Sequence, residues 1–487
     1  MPSRTLPSLS LPLSWPVSCA LVAAALLAPA TSVSADDGSG SGSGFGRTVD
    51  YRGLRLTVPG GWRVVDLDRH PDACLRLDLP TLYLGHAGTQ RECTGRAVRT
   101  RADTLHLEPL AGAPPRADIP TVRVDAVEGG GVPGPPDSDG HDDSHEVRYA
   151  LQRRGLMATV SYGDTSDAVR ELLARARTVP AAAAAADGAA HTTPALAEPA
   201  VAAGPGPQHA AAPQPFTGTG FDTCTAPTQS AMDAWRSASP FGAVGIYIGG
   251  RARACAQPQL TAGWVKRQTE AGWHLMPLWA GLQPWHSSTT GLSPDPSAAN
   301  DQGKAAAEGA AQAARALGLP EGTVLYNDLE SYTDRQTWDP PVVAYLTAWT
   351  VRLHELGYGA GAYVSASSGA QALSIHYDQA PQAMPDVLWA ASWNGRAAVA
   401  DADMGLPEGT HQWAGRRRAH QYRGDYGATY GGVTLTIDRS WIDVDPTDPA
   451  APVSPGGPAV PRMPPMPAVP AVPGVPVTPK WPLTLPG

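Results

Sequence analysis

From Phe216 onward, apolar and polar positions alternate between two periods. Short runs of aliphatic, β-branched and aromatic residues read as buried strands: Gly218–Asp222, Ala243–Gly249, His274–Gly281, Thr323–Glu330, Gly359–Ser365, Val387–Asn394, a short His420–Tyr422, and Thr434–Asp438. Between several of them the apolar spacing lengthens to that of an amphipathic helix. The clearest case takes Asp339 as N-cap with Pro340 and Pro341 in its first turn, buries Val342, Leu346, Trp349 and Leu353, and stops at Gly357. An alanine-rich helix is predicted from Ala298 to Leu317, closed by Gly318. Seven or eight strands with helical crossovers over about 230 residues predict an α/β fold of the TIM-like (β/α)8 barrel type. A doubly wound sheet is the alternative.

The polar residues of these runs collect at their C-terminal ends. In Gly322–Ser331, GTVLYNDLES, an apolar stretch gives way abruptly to Asn327-Asp328-Leu329-Glu330. Alternate residues of an extended chain share a face, so Asp328 and Glu330 point one way and Leu329 the other. Asp222, Trp279 with Gln283, Tyr363, Trp393, Gln421 and Asp438 stand at other strand ends. If the strands close, all of these gather on the face where α/β barrels place their chemistry. Acids beside Trp and Tyr suit a sugar: its C–H faces pack on rings, and its hydroxyls bond carboxylates and amides. The candidate catalytic residues are Glu330, Asp328, Asp222 and Asp438. The candidate substrate-binding residues are Trp279, Gln283, Tyr363, Trp393 and Gln421.

The rest of the chain has a different character. Residues 1–35 read as a secretory signal, with Arg4, an apolar core from Val17 to Ala28, and a small-residue site at Val33-Ser34-Ala35. A Gly/Ser linker follows at 36–44. Residues 45–180 predict a small α+β domain with strands at Leu54–Val58, Thr81–Leu84 and Ala158–Tyr162. That domain closes on a helix through Val169, Leu172, Leu173 and Ala176, and its Gly/Pro/Asp-rich insert at Gly129–Ser144 reads as a mobile loop. Residues 181–215 form an Ala/Pro linker. In the tail, 446–487, proline recurs at every third position from 446 to 482. Polyproline II has three residues per turn, so this predicts a rod of about 110 Å at roughly 3.1 Å per residue. No apolar stretch outside the signal is long enough to span a bilayer.

The net charge of −9, without a basic block, disfavours nucleic acid as a partner. Five cysteines become four once the signal is removed. Three pairings are possible. Cys74–Cys93 and Cys224–Cys255 are preferred, because each pair stays within one segment of the chain. In a barrel the loops carrying Cys224 and Cys255 would also be neighbours at the rim. Export favours disulfides over a metal site; no metal and no cofactor are expected.

Residues 217–445 resemble the actinobacterial glycoside hydrolase-like domain family of unknown function, which is similar in fold to the lysozymes of glycoside hydrolase family 25. The matching stretches are GFDTC (220–224), GIYIGG (245–250), WAGLQ (279–283), YNDLE (326–330), GYGAGAY (357–363), HQY (420–422) and IDRSWID (437–443). The resemblance implies that Glu330 is the general acid and Asp328 its ionised acidic partner, placed to orient a substrate acetamido group. Asp222 and Asp438 are implied as further acids of the cleft. The expected function is that of a secreted glycoside hydrolase-like protein, in the extracellular space or associated with the cell wall, acting on peptidoglycan-type N-acetylated glycans. A non-catalytic glycan-binding barrel is the alternative; a mouth blocked by the 282–300 loop would favour it. An amidase finds no support in a metal site, phosphate loop or nucleophile elbow.

Overall fold

The computed structural model describes residues 46–91, 93–95, 97–125, 131–136, 145–179 and 214–445. The signal, the 36–44 linker, the 446–487 tail and most of the 129–144 insert and of the 181–215 linker lie outside the described residues.

The N-terminal region forms two sheets. β1 (Arg47–Tyr51), β2 (Leu54–Val58) and β9 (Arg177–Thr178) make one. The other has six strands, in the order β3 (Arg63–Asp66), β4 (Thr81–Leu84), β5 (Thr104–Pro109), β8 (Leu156–Ser161), β7 (Glu146–Leu151), β6 (Thr121–Val124). α1 (Asp167–Ala174) seals this core with Val169, Leu172 and Leu173, the apolar stripe legible in the sequence.

Residues 216–444 close an eight-stranded barrel: β10 (Phe216–Asp222), β11 (Ala243–Gly249), β12 (His274–Trp279), β13 (Val324–Leu329), β14 (Gly359–Ser365), β15 (Val387–Ala391), β16 (Arg417–Tyr430) and β17 (Val433–Val444). α2 (Gln229–Ala238), α3 (Ala262–Glu270), α4 (Pro296–Ala316), α5 (Arg335–Glu355), α6 (Gly369–His376) and the short α7 (Asp401–Met404) fill the connections in turn. The fold is thus mixed α/β, but the eight parallel strands of the (β/α)8 pattern are not formed. β10 to β16 run parallel, whereas β17 is antiparallel to both β16 and β10. Gly431 and Gly432, at φ 57° and 80°, join β16 to β17 in a two-residue turn. So short a loop makes a hairpin and cannot carry the crossover that a parallel pair needs.

Two elements depart from their expected limits. The strands expected at His420–Tyr422 and Thr434–Asp438 are fragments of this long hairpin, whose pairing continues through Arg423 and Tyr426 with register shifts. α5 starts at Arg335, not after Asp339: Asp334 is the N-cap and accepts from the Thr337 amide at 3.1 Å. Asp339 instead pairs with Arg335 one turn back, at 2.7 Å, and accepts from the Tyr332 hydroxyl. The prolines then sit in the second turn, where each removes one helical hydrogen bond near an end that already has unpaired groups. α4 packs tightly on α5, since a Cβ at Gly303 would stand 2.2 Å from the Tyr345 carbonyl oxygen.

Along β13 the two faces part as the alternation requires. Leu325 and Leu329 join the helix-facing core, and Val324 and Tyr326 join the barrel interior. Trp389 stands in that interior edge-on to both Tyr326 and Tyr363, and its indole N–H donates to Ser440 Oγ at 3.1 Å.

Both disulfides have the expected partners, Cys74–Cys93 and Cys224–Cys255. Their sulfurs meet: Cys74 Sγ lies 3.3 Å from Cys255 Sγ, in an apolar cluster that links the N-terminal region to the barrel rim. A buried ion pair adds to this contact. Arg253, after β11, pairs with Glu146 of β7, and Arg101 lies 3.9 Å from the same carboxylate. Among the described residues no helix is long and apolar enough to cross a membrane.

Candidate active site

Four acids converge at the C-terminal mouth of the parallel strands. Asp222 is the last residue of β10 and Asp438 is its register partner on β17. Side chains directly opposite in an antiparallel pair share a face with Cβ atoms about 4.5–5.5 Å apart. The antiparallel closing strand therefore brings an acid from mid-strand to the same height as one from a strand end. Gly245 of β11, register partner of Asp222, makes room for it; a Cβ there would lie 2.6 Å from that of Asp222. Asp328 comes from the interior face of β13 and Glu330 lies just past that strand. Asp222 and Asp328 are almost wholly buried, whereas Glu330 is half-buried at the rim.

Burial raises Asp222 well above the usual carboxylate range; the Asp438 charge adds to the rise and a Gln421 amide bond opposes it. Asp328 is also raised well above that range, first by desolvation and then by the charge of Glu330. Neither oxygen of Asp328 has a hydrogen-bond partner among the described residues. Tyr247 offsets the rise only in part: its hydroxyl favours the carboxylate but falls short of bonding geometry. Burial without a bonded donor runs against the expectation that Asp328 stays ionised, because desolvation favours the neutral form of a carboxyl. The same acids and the burial push the Tyr247 and Tyr363 hydroxyls well above their ordinary value.

The polar candidates divide by what they touch. Gln421 organises one side: its amide donates to Asp222 Oδ1 at 3.1 Å, and its carbonyl accepts from Tyr363 Oη at 3.0 Å and Trp393 Nε1 at 2.8 Å. Trp393 presents a half-exposed indole to the mouth side. Gln283 is fully buried and is spent on the backbone of the acidic strand. It donates to the Asp328 carbonyl at 2.7 Å and accepts from the Glu330 amide at 2.8 Å, so it positions the two acids and offers nothing to a ligand. Trp279 belongs to the helix-facing core, against Gly249, and shows no face to the mouth. Its place at the last position of β12 puts it one residue out of phase with the interior residues Leu278 and Ala280. Tyr247, which faces Asp328 and Asp222, was not among the candidates. The signal was available: it is the one aromatic of GIYIGG, in the strand beside Asp222.

Cys74, Cys93 and Cys255 are the one close set of metal-type ligands among the described residues. Their sulfurs are bonded in disulfides and supply no thiolate.

Two residues of the N-terminal region, Ala97 and Arg99, reach this mouth. The Ala97 amide donates to Glu330 Oε1 at 3.1 Å, and the Arg99 carbonyl accepts from Ser287 Oγ and Thr290 Oγ1, each at 2.7 Å.

Residues 233–442 match the family described as the Rv2525c-like, glycoside hydrolase-like domain. No curated protein matches the chain. Among solved structures it is similar to an uncharacterized protein of B. stearothermophilus, at 18% identity over 46% of this chain and 95% of that one, with a TM-score of 0.33. It is also similar to the Mycobacterium tuberculosis Tat-secreted protein Rv2525c in complex with L-tartrate, at 16% identity over 47% and 96%, TM-score 0.32. A third is the modular autolysin LytC from Streptococcus pneumoniae, at 12% identity over 46% of each chain, TM-score 0.30.

Proposed function

We propose that the barrel mouth takes an N-acetylated glycan of the peptidoglycan type and cleaves it by carboxylate acid catalysis, a reading supported by the match of residues 233–442 to the Rv2525c-like, glycoside hydrolase-like domain family. One observation carries the reading: Asp328 is buried with both oxygens unpartnered. Such a group costs stability in the free protein and gains most from a ligand that brings an N–H or O–H to it. The acetamido N–H of an N-acetylated sugar is such a donor. Glu330, at the rim, is the acid placed to protonate a glycosidic oxygen, and Asp222 with Asp438 hold substrate or water. Trp393 and Tyr363 supply the ring faces, with Gln421 between them.

The protein acts outside the cell, exported by the 1–35 segment, with the proline-periodic tail as a spacer in a polymer layer. A non-catalytic glycan-binding barrel is the second reading, favoured by the contact of Ala97 with Glu330.

The two readings are separated by incubating purified peptidoglycan with the protein and with Glu330→Gln, counting new reducing ends, and measuring binding of N-acetylglucosamine oligomers by calorimetry. Catalysis requires release of sugars by the wild type and none by Glu330→Gln at comparable binding. Equal binding with no release by either protein, mouth open, leaves the binding module.

A further inference from the structure

Among its described residues the N-terminal region carries no constellation of its own that points to chemistry, yet Ala97 of one of its loops bonds an acid of the mouth. We infer that residues 93–95 and 97–99 form a built-in strap over the mouth, so that the region acts as an intramolecular inhibitor of the barrel. The inference rests on the glycan reading for the identity of what is excluded; the exclusion itself rests on geometry.

The strap touches the barrel at β17 and past β10, β11, β12 and β13, the strands that carry the four acids and their neighbours. Before it, the Arg91 carbonyl accepts from Thr436 Oγ1 of β17 at 2.9 Å. Gly95 lies against Cys224, past β10, where a Cβ would stand 3.4 Å from the Cys224 nitrogen. Ala97 donates to Glu330 past β13. The Val98 amide donates to the Ala252 carbonyl past β11 at 2.8 Å. Arg99 reaches the loop after β12: Ser287 and Thr290 bond its carbonyl, and its guanidinium lies 4.8 Å from the centre of the Trp285 ring.

The strap is also built to stay. Cys93 bonds it to Cys74, and Val98 is buried among the four cysteines. The space beneath Gly95 and Ala97, walled by Cys224, Tyr247, Arg253, Ala254 and Ala280, is too small for a water-sized sphere. A pyranose ring cannot reach Asp328 by that route while the strap is down. One carboxyl oxygen of the proposed proton donor is meanwhile occupied by a peptide N–H.

Two full-chain variants test this. Gly95→Trp places a large side chain against Cys224 and forces the strap up. The backbone tolerates it, since Gly95 is not in the left-handed region. Ala97→Pro removes the amide hydrogen that Glu330 accepts, with little change in bulk. Opening is read without any glycan, by carbodiimide coupling of glycine ethyl ester at Glu330, followed by peptide mass mapping. Hydrogen exchange of the 93–99 amides in Gly95→Trp is a second, local readout. Circular dichroism and thermal melts confirm that each variant is folded. The expected result is coupling several-fold faster in both variants, faster exchange of the strap, and N-acetylglucosamine oligomers binding more tightly to Gly95→Trp than to wild type. Faster coupling without glycan binding by any protein supports the strap and sinks the glycan reading. Unchanged coupling in folded Gly95→Trp, or wild type binding the oligomers as tightly as an opened variant, overturns the strap.

Discussion

Asp328→Asn makes the protein more stable, and increasingly so as pH rises. Unfolded, the Asp328 carboxyl loses its proton near the ordinary value of 3.8; folded, burial and the Glu330 charge hold that proton to a much higher pH. The native state therefore binds more protons than the unfolded state across this window. The stabilisation is complete below the unfolded value, falls as pH rises toward the folded value, and is absent above it. The slope is about 1.4 kcal/mol per pH unit for one proton. Over two units inside the window the wild type loses about 2.7 kcal/mol that the asparagine variant keeps. Asp222 is coupled to the same cluster and adds to the slope in both proteins, so the difference between variant and wild type is the quantity to read. Urea titrations followed by tryptophan fluorescence, at several pH values between 4 and 8, give that difference directly. It should widen with pH while the variant loses glycan binding, a gain of stability at the expense of function. Parallel curves would mean that Asp328 is ionised in the folded protein and is held by a donor, and the argument from its unpartnered oxygens would fall.

Gln283→Ala strands the Asp328 carbonyl and the Glu330 amide in a buried site, at a cost of about 1–3 kcal/mol in thermal unfolding. Turnover should fall further than binding, because the amide positions both acids without touching substrate. Glu146→Ala leaves Arg253 and Arg101 buried together without a counter-charge. Breaking such a pair costs about 3–5 kcal/mol, and desolvation already holds the Arg101 guanidinium down to about 10. Limited proteolysis should then release the N-terminal region from the barrel more readily than in the wild type.

Much of the barrel was legible because strand and helix periods are local properties. β11 and β14 have the limits read from sequence, and the stripe Val342, Leu346, Trp349, Leu353 is the buried face of α5. What failed was local evidence that a tertiary contact overruled. Asp339 before two prolines looks like a cap, but its bonds to Arg335 and Tyr332 hold a helix already under way. Trp279 and Gln283 look like binding residues in WAGLQ because the sequence gives their chemistry without their direction. One faces the helices, and the other is consumed by the backbone of β13.

Within the strand the alternation of side chains alone set Asp328 and Glu330 apart from Leu329, and spacing along the chain favoured the two disulfides that the fold contains. These follow from bond geometry and loop length. Three things were decided only when the chain closed on itself. The direction of β17 paired Asp438 with Asp222, since register is a relation between strands 216 positions apart, counted from residue 222 to residue 438. The upward shift of the Asp328 carboxyl comes from its burial by distant segments and from the charge of Glu330, and no run of neighbours encodes that burial. The bond from the Ala97 amide to Glu330 brings together residues 233 positions apart. A hydrogen bond between an alanine amide and a distant glutamate leaves no mark on composition or periodicity, because every residue but proline carries that amide.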